Sequence, residues 1–125
     1  IDVEVERLDE IIGDASVGVM KMDVEGFERN VLLGATELFK GRRVRDCIFE
    51  EHRNYPTEVT KLLEDWGYRL FRLDRGVIRP NLRAANTSVR KSSWEATSFL
   101  ATIDPERAVR VMRGFGWQCL RRGRG

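Results

Sequence analysis

The chain has 125 residues, 42% of them hydrophobic and 34% charged, with a formal net charge of +2, which describes one small folded domain of ordinary composition. That balance is too weak to argue for nucleic acid. No apolar run approaches the roughly 20 residues of a membrane span, so no membrane partner is expected, and no charged-then-apolar leader precedes a cleavage site. Cys47 and Cys119 make neither a disulfide framework nor a metal spacing, so a reducing, cytoplasmic setting is expected.

In chain order, residues 1–6 alternate strictly and read as a half-buried strand. Leu8, Ile11 and Ile12 mark one or two helical turns closed by Gly13. Residues 17–24 form an apolar run broken by Lys21 and Asp23, the pattern of a buried strand. Glu25 and Gly26 follow, and a helical pattern starts at once over residues 26–40. There Phe27, Val31, Leu32, Ala35, Leu38 and Phe39 share one side at about 100° per residue, and Gly41 ends the helix.

Residues 46–51 read as a second buried strand, with Cys47 a buried thiol. Asn54 or Tyr55 caps the next helix, with Pro56 at its first position. Val59, Leu62, Leu63 and Trp66 form its inner face, and Gly67 stops it. Residues 68–73 are a third strand, with a turn back at Asp74-Arg75-Gly76. Residues 79–96 are polar and aperiodic, the signature of a long loop. Thr97–Thr102 is a further strand. Asp104 and Pro105 open a last helix that runs through Ala108, Val109, Met112 and Phe115. Arg42, Arg43 and Arg45 share one loop. Residues 116–125, a basic Gly/Arg tail with Arg121, Arg122 and Arg124, read as a disordered terminus; RNA binding there is the lesser reading.

Strand and helix alternate through the middle of the chain, which argues for a parallel α/β sheet. A buried strand that ends in carboxylates and turns straight into a helix places those acids at the strand's carboxyl end. In open α/β sheets ligands bind there. Glu28 breaks the helical pattern: it projects into the apolar stripe, in a first turn where the helix dipole favours an anion. It is expected to be buried and hydrogen-bonded, to backbone N–H groups of a nearby turn or to Lys21, because an unbonded buried carboxylate is costly. It would then brace the turn that aims Asp23 and Glu25.

The octet Lys21-Met22-Asp23-Val24-Glu25-Gly26-Phe27-Glu28, followed by Val31-Leu32-Leu33-Gly34-Ala35, resembles the signature of FkbM-family methyltransferases. Arg7-Leu8-Asp9-Glu10, Cys47-Ile48-Phe49-Glu50, the segment Leu62-Leu63-Glu64-Asp65-Trp66-Gly67-Tyr68 and Phe99-Leu100-Ala101-Thr102 resemble flanking pieces of that family in the right order. The similarity spans roughly residues 5–110. It implies the second half of a seven-stranded, Rossmann-like methyltransferase sheet, mostly parallel with an antiparallel last strand. It also implies S-adenosylmethionine as cofactor and O-methylation of a small acceptor, a sugar or a polyketide-like secondary metabolite.

The glycine-rich turn that would hold this cofactor is absent. The one G-x-G, Gly114-Phe115-Gly116, follows a helix and lacks the third glycine. Residues 1–115 are therefore expected to be the C-terminal part of a longer methyltransferase domain, a fragment that is inactive alone and prone to self-association. The alternative is a non-catalytic α/β interaction module or a degenerate methyltransferase remnant within a larger carbohydrate-modifying protein.

Methyl transfer to a hydroxyl requires the oxygen to be aligned and its proton removed. Asp23, Glu25 and His52 are the candidate catalytic residues. Either acid can act as base, bond the acceptor, or join a divalent metal; the reading without a metal is preferred. His52, the only histidine, can act as base near neutral pH, or stand idle in its loop. Lys21 and Glu50 are candidates for acceptor binding. For Lys21 the alternative is an ion pair with Asp23, Glu28 or Glu50; for Glu50 it is a carboxylate at a helix N-terminus. Gly26 and Glu28 would brace the site. Trp94 covers the acceptor pocket or packs on the sheet.

Overall fold

The computed structural model describes residues 1, 4–76, 79–88 and 95–114. Expectations for residues 2–3, Trp94, Phe115 and the G-x-G, Cys119 and the basic tail lie outside the described residues. Residues 4–7 belong to no strand or helix, so the alternating pattern at the N-terminus does not form a strand there.

Helix α1 is Leu8–Ile12, closed by Gly13 at φ +55. Strand β1 (Val17–Met22) follows. The single helix expected over residues 26–40 is instead two, α2 (Glu28–Leu33) and α3 (Thr36–Lys40). The break has a partner in α1: Asp9 Oδ1 and Oδ2 accept the N–H groups of Leu38 (2.9 Å) and Glu37 (3.2 Å), while the Asp9 N–H donates to Gly34 O (3.0 Å). Asp9 thus caps α3 from a distance and supplies the acceptors that the first turn of a helix lacks.

Strand β2 is Val44–Glu51, two residues longer than expected. Arg45 therefore belongs to the strand and not to a loop with Arg42 and Arg43. Helix α4 (Glu58–Asp65) is capped by Thr57, not by Asn54 or Tyr55. Thr57 N–H donates to Thr60 Oγ1 (2.8 Å) and Thr60 N–H donates to Thr57 Oγ1 (3.3 Å), a reciprocal box. Pro56 precedes the cap, after a cis Tyr55–Pro56 bond, and does not open the helix. Strand β3 (Arg69–Asp74) is followed by β4 (Asn81–Ala84), which folds back on it within the stretch expected to be loop. Strand β5 (Thr97–Thr102) and helix α5 (Pro105–Met112, capped by Asp104) fall where the sequence puts them.

The described strands form one sheet in the order β1-β2-β5-β3-β4. Only β1 and β2 pair in parallel; the other three pairings are antiparallel. The expectation of a mostly parallel sheet is corrected for a simple reason. Strands β1, β2 and β3 run the same way, but β5 inserts between β2 and β3 and converts one parallel neighbour into two antiparallel ones. The expected antiparallel last strand is this β5.

Phe39, Phe49, Phe99, Leu32, Leu38 and Leu63 are fully buried and anchor the core. Phe49 and Phe99, paired across β2 and β5, stack at 5.6 Å between ring centres. β1 lies at the sheet's edge and is buried only at Met22; Val19 is 56% exposed. The buried strand expected there is a half-open one, because among the described residues it has a neighbour on one side only. No helix among the described residues is long and apolar enough to cross a membrane.

Candidate functional site

The site starts from the register of the parallel pair. Met22 lies opposite Phe49, so Asp23, just past the end of β1, and Glu50, the next residue of β2, lie at the same end of the sheet. After β1 the backbone turns through two consecutive left-handed residues, Glu25 (φ +46) and Gly26 (φ +97). A Cβ on Gly26 would meet nothing within 4 Å, so its dihedral and not crowding demands glycine. Glu25 has no such freedom. A strained non-glycine residue of this kind persists where the surrounding structure holds it, commonly at functional sites. The Phe27 N–H closes the turn on Val24 O at 3.3 Å, and α2 begins at Glu28. Phe27, expected in the apolar stripe, is 64% exposed because the helix starts only after it.

Asp23, Glu25, Gly26 and Glu28 form one wall of a cleft of about 240 Å³; Glu50, Glu51 and His52 at the end of β2 form the other. The structure thus brings together six residues singled out in the sequence: Asp23, Glu25, Gly26, Glu28, Glu50 and His52. Lys21 does not line the cleft. Its Nζ lies 3.3 Å from Asp23 Oδ2, with both side chains exposed, so the ion-pair reading of Lys21 is the one observed. Sequence reasoning missed Glu51 and Arg53. Glu51 is buried and accepts from Arg53 through both its backbone N–H (3.2 Å) and Nε (3.4 Å). The doubled Glu50-Glu51 before His52 was the available signal.

Glu28 is buried as expected, at 7% exposure. The expected hydrogen bonds are not formed. Lys21 is engaged by Asp23, and among the described residues no donor reaches the Glu28 carboxylate. No fully buried polar side-chain atom in these residues is left without a partner, so the Glu28 oxygens meet solvent through the cleft they line. Glu28 is a wall of the cleft and not a bonded brace. Glu25 and Glu50 likewise have no ion pair or hydrogen bond from the described residues. No group of three or more His, Cys, Asp or Glu among the described residues is arranged to hold a metal ion.

Beyond the loop after His52, a second polar pocket of about 330 Å³ opens at the same end of the sheet. Asn54, Tyr55, Arg72, Asn86, Thr87 and Phe99 contribute to it. Arg72 is buried there, held by Asp74 Oδ1 at 2.7 Å and Thr87 O at 3.3 Å. Its only trace in the sequence is an arginine inside the apolar run Leu70-Phe71-Arg72-Leu73. Together the two cavities offer carboxylates and one imidazole able to accept a proton, beside amides and hydroxyls able to hold a polar ligand.

The chain matches the family model for the methyltransferase FkbM domain over residues 1–70. No curated protein and no solved structure matches it. The matched stretch contains β1, the acidic turn, α2, α3 and β2, that is, the whole of the acidic cleft. By this match over more than half its length, the chain belongs to the FkbM methyltransferase domain family.

Proposed function

We propose that this protein is an S-adenosylmethionine-dependent methyltransferase that acts on a hydroxyl of a small acceptor, a sugar or a secondary metabolite, in the cytoplasm. The observation that carries this reading is the convergence of Asp23, Glu25 and His52 on one cleft at the carboxyl end of β1 and β2. In this reading the five strands are the second half of a seven-stranded sheet, and β1 lies beside the half that holds the cofactor.

The described residues do not themselves make a cofactor cradle. The turn after β1 is acidic, not glycine-rich, and so is the end of β2. These residues border the cofactor and do not hold it. The cofactor supplies a methyl group on a positively charged sulfur. The protein's part is to place the acceptor and take its proton. Asp23, Glu25 or His52 receives that proton, Glu50 bonds the acceptor, Lys21 stays paired with Asp23 at the edge of the cleft, and Gly26 sets the turn that orients both acids.

The test is methyl transfer from labelled cofactor to a panel of hydroxylated acceptors. Asp23→Asn is expected to lower turnover by about 10²–10⁴-fold, the usual value of a general base, with an unchanged melting curve. Equal turnover removes Asp23 from the mechanism. If the unaltered protein methylates nothing, the non-catalytic interaction module becomes the better reading.

A further inference from the structure

We infer that the acidic cleft binds the protonated amine of the acceptor, so that the acceptor is an amino alcohol anchored by its ammonium group and methylated on a neighbouring hydroxyl. This inference rests on the methyl-transfer reading of the same site.

Three carboxylates of the cleft, Glu25, Glu28 and Glu50, have no cationic or hydrogen-bonding partner among the described residues. The nearby cations are already engaged, Lys21 by Asp23 and Arg53 by Glu51. An acidic surface alone would mean little, since exposed carboxylates are satisfied by water. Glu28 is different. It is 93% buried by its 7% exposure, it lines the cleft, and it has no partner. Its oxygens reach water only through the cleft; a positively charged ligand group that enters the cleft takes the place of that water and supplies the missing partner.

The geometry selects the kind of cation. A divalent metal needs several oxygens converging on one point at about 2.0–2.6 Å, and no such group exists among the described residues. An ammonium asks for less. One or two carboxylates suffice to pair with it while water takes its remaining N–H donors, which suits acids spread over two walls of a small cavity. At about 240 Å³ the cleft lies below the volume of pockets that enclose whole drug-sized ligands, so it takes the charged substituent and the ring or chain that bears it.

The same carboxylates explain why oxygen, not nitrogen, receives the methyl group. They favour the protonated amine, which has no lone pair to attack with. The hydroxyl oxygen forms the new O–C bond as the S–C bond breaks. The hydroxyl proton passes to Asp23, Glu25 or His52, and sulfur leaves as a neutral thioether.

The test is direct binding without cofactor. The ¹⁵N-labelled protein is titrated near neutral pH with trans-2-aminocyclohexanol, with trans-cyclohexane-1,2-diol and with MgCl₂ at matched ionic strength, and the amide shifts of Glu25, Gly26, Glu28, Glu50 and His52 are followed. The amino alcohol is expected to bind about tenfold or more tighter than the diol, the value of one hydrogen bond to a charged group. Glu28→Gln and Glu50→Gln are each expected to weaken it by a similar factor; Glu50 is only half-buried, so its variant keeps the fold. Equal binding of amine and diol overturns the inference. So does displacement of the amine by Mg²⁺, which gives the cleft to a metal, and so does unchanged affinity in both variants. Because no methyl donor is present, a negative result here is distinct from a failure to find methyl transfer.

Discussion

Two acidic residues in this molecule are almost equally covered and otherwise opposite. Asp46, at the start of β2, is 6% exposed, and Glu28, beside the end of β1, is 7% exposed. Asp46 accepts from Thr102 Oγ1 at 2.7 Å, Arg107 Nη1 at 2.9 Å and Arg45 Nε at 2.9 Å. Those donors join β2, β5 and α5. Glu28 has no donor from the described residues. The two residues are alike in exposure, so the difference lies in their partners: protein donors for Asp46, water through the cleft for Glu28. At the amino end of β2 a buried charge is used up in holding elements together; at its carboxyl end buried charge is left available. A fold that satisfies its carboxylates so fully at one end does not leave those at the other unsatisfied for want of arginines, since Arg53 stands beside the cleft, in an adjoining pocket that shares Glu25, Glu51 and His52 with it.

The comparison breaks first at Asp46. Asp46→Ala is expected to destabilise the protein by about 3 kcal/mol, the lower part of the range for breaking a buried ion pair. It stays low in that range because the two guanidinium groups left behind, 37% and 30% exposed, recover some hydration. Urea denaturation measures this. A loss below about 1 kcal/mol would mean that the Asp46 network is ornamental and that burial alone tells nothing about role.

The closed end of the sheet also carries the pH dependence. Tyr68 donates its hydroxyl to Val44 O at 2.5 Å. Its pKa is pushed up to about 12, chiefly by burial, with Cys47 and Asp46 nearby adding to the effect against Arg42. Burial also pushes the Cys47 thiol up to about 12. Groups whose pKa is raised by folding stabilise the protein fully below their ordinary values, near 9 for Cys and 10 for Tyr. That contribution is lost as pH climbs towards about 12. Stability is therefore expected to fall above pH 9, by about 1.4 kcal/mol per pH unit for each group that must release its proton. Tyr68→Phe should cost about 1–2 kcal/mol at neutral pH and make the alkaline fall shallower. A fall of unchanged steepness in Tyr68→Phe would place the alkaline transition elsewhere.

This contrast was only partly legible in the sequence. The acidic turn was plain, because residues 21–28 set carboxylates against an apolar strand and a helical stripe, and the angle of Glu28 gave its burial. Its lack of partners was not legible, since a pattern shows which face a side chain takes and not what waits there. The break of the long helix at Gly34 was hidden for a related reason: the cap of α3 is Asp9, a residue 28 positions away from Glu37. The sheet's direction was misjudged because alternating strands and helices say nothing about where a last strand inserts. Asp46 carried a visible charge in an apolar run, but its partners Thr102 and Arg107 come from β5 and α5. Local signals found the elements that turn on their own residues; contacts between distant segments decided the rest.

Glu28 offers the reverse of Asp46. Because its oxygens have no donor from the described residues and meet water through the cleft, Glu28→Gln is expected to change stability by less than about 1 kcal/mol; the loss of a favourable anion in the first turn of α2 is worth about 0.3–1 kcal/mol. Chemical denaturation of the variant checks the size. A destabilisation above about 1 kcal/mol would restore Glu28 to a bracing role. Little change in stability with a loss of ligand affinity is the outcome expected of a residue kept for function.

The smallest effect is expected at Lys21, and it sharpens the contrast most finely. Lys21→Ala should change the unfolding free energy by less than about 0.5 kcal/mol, since exposed ion pairs are screened and must order two long side chains. Its Nζ lies 3.3 Å from Asp23 Oδ2, with the two side chains 62% and 59% exposed. Truncation also leaves Asp23 in full contact with water, so no buried charge is stranded. The cleft, however, gains one more uncompensated carboxylate. Binding of an ammonium probe should then tighten by a few fold, with a steeper dependence on salt because the added attraction acts between partly exposed charges. Affinity measured in Lys21→Ala at low and high salt separates the outcomes. A weaker affinity would make Lys21 a direct contact of the ligand; a stronger one keeps it as the counter-charge that moderates Asp23.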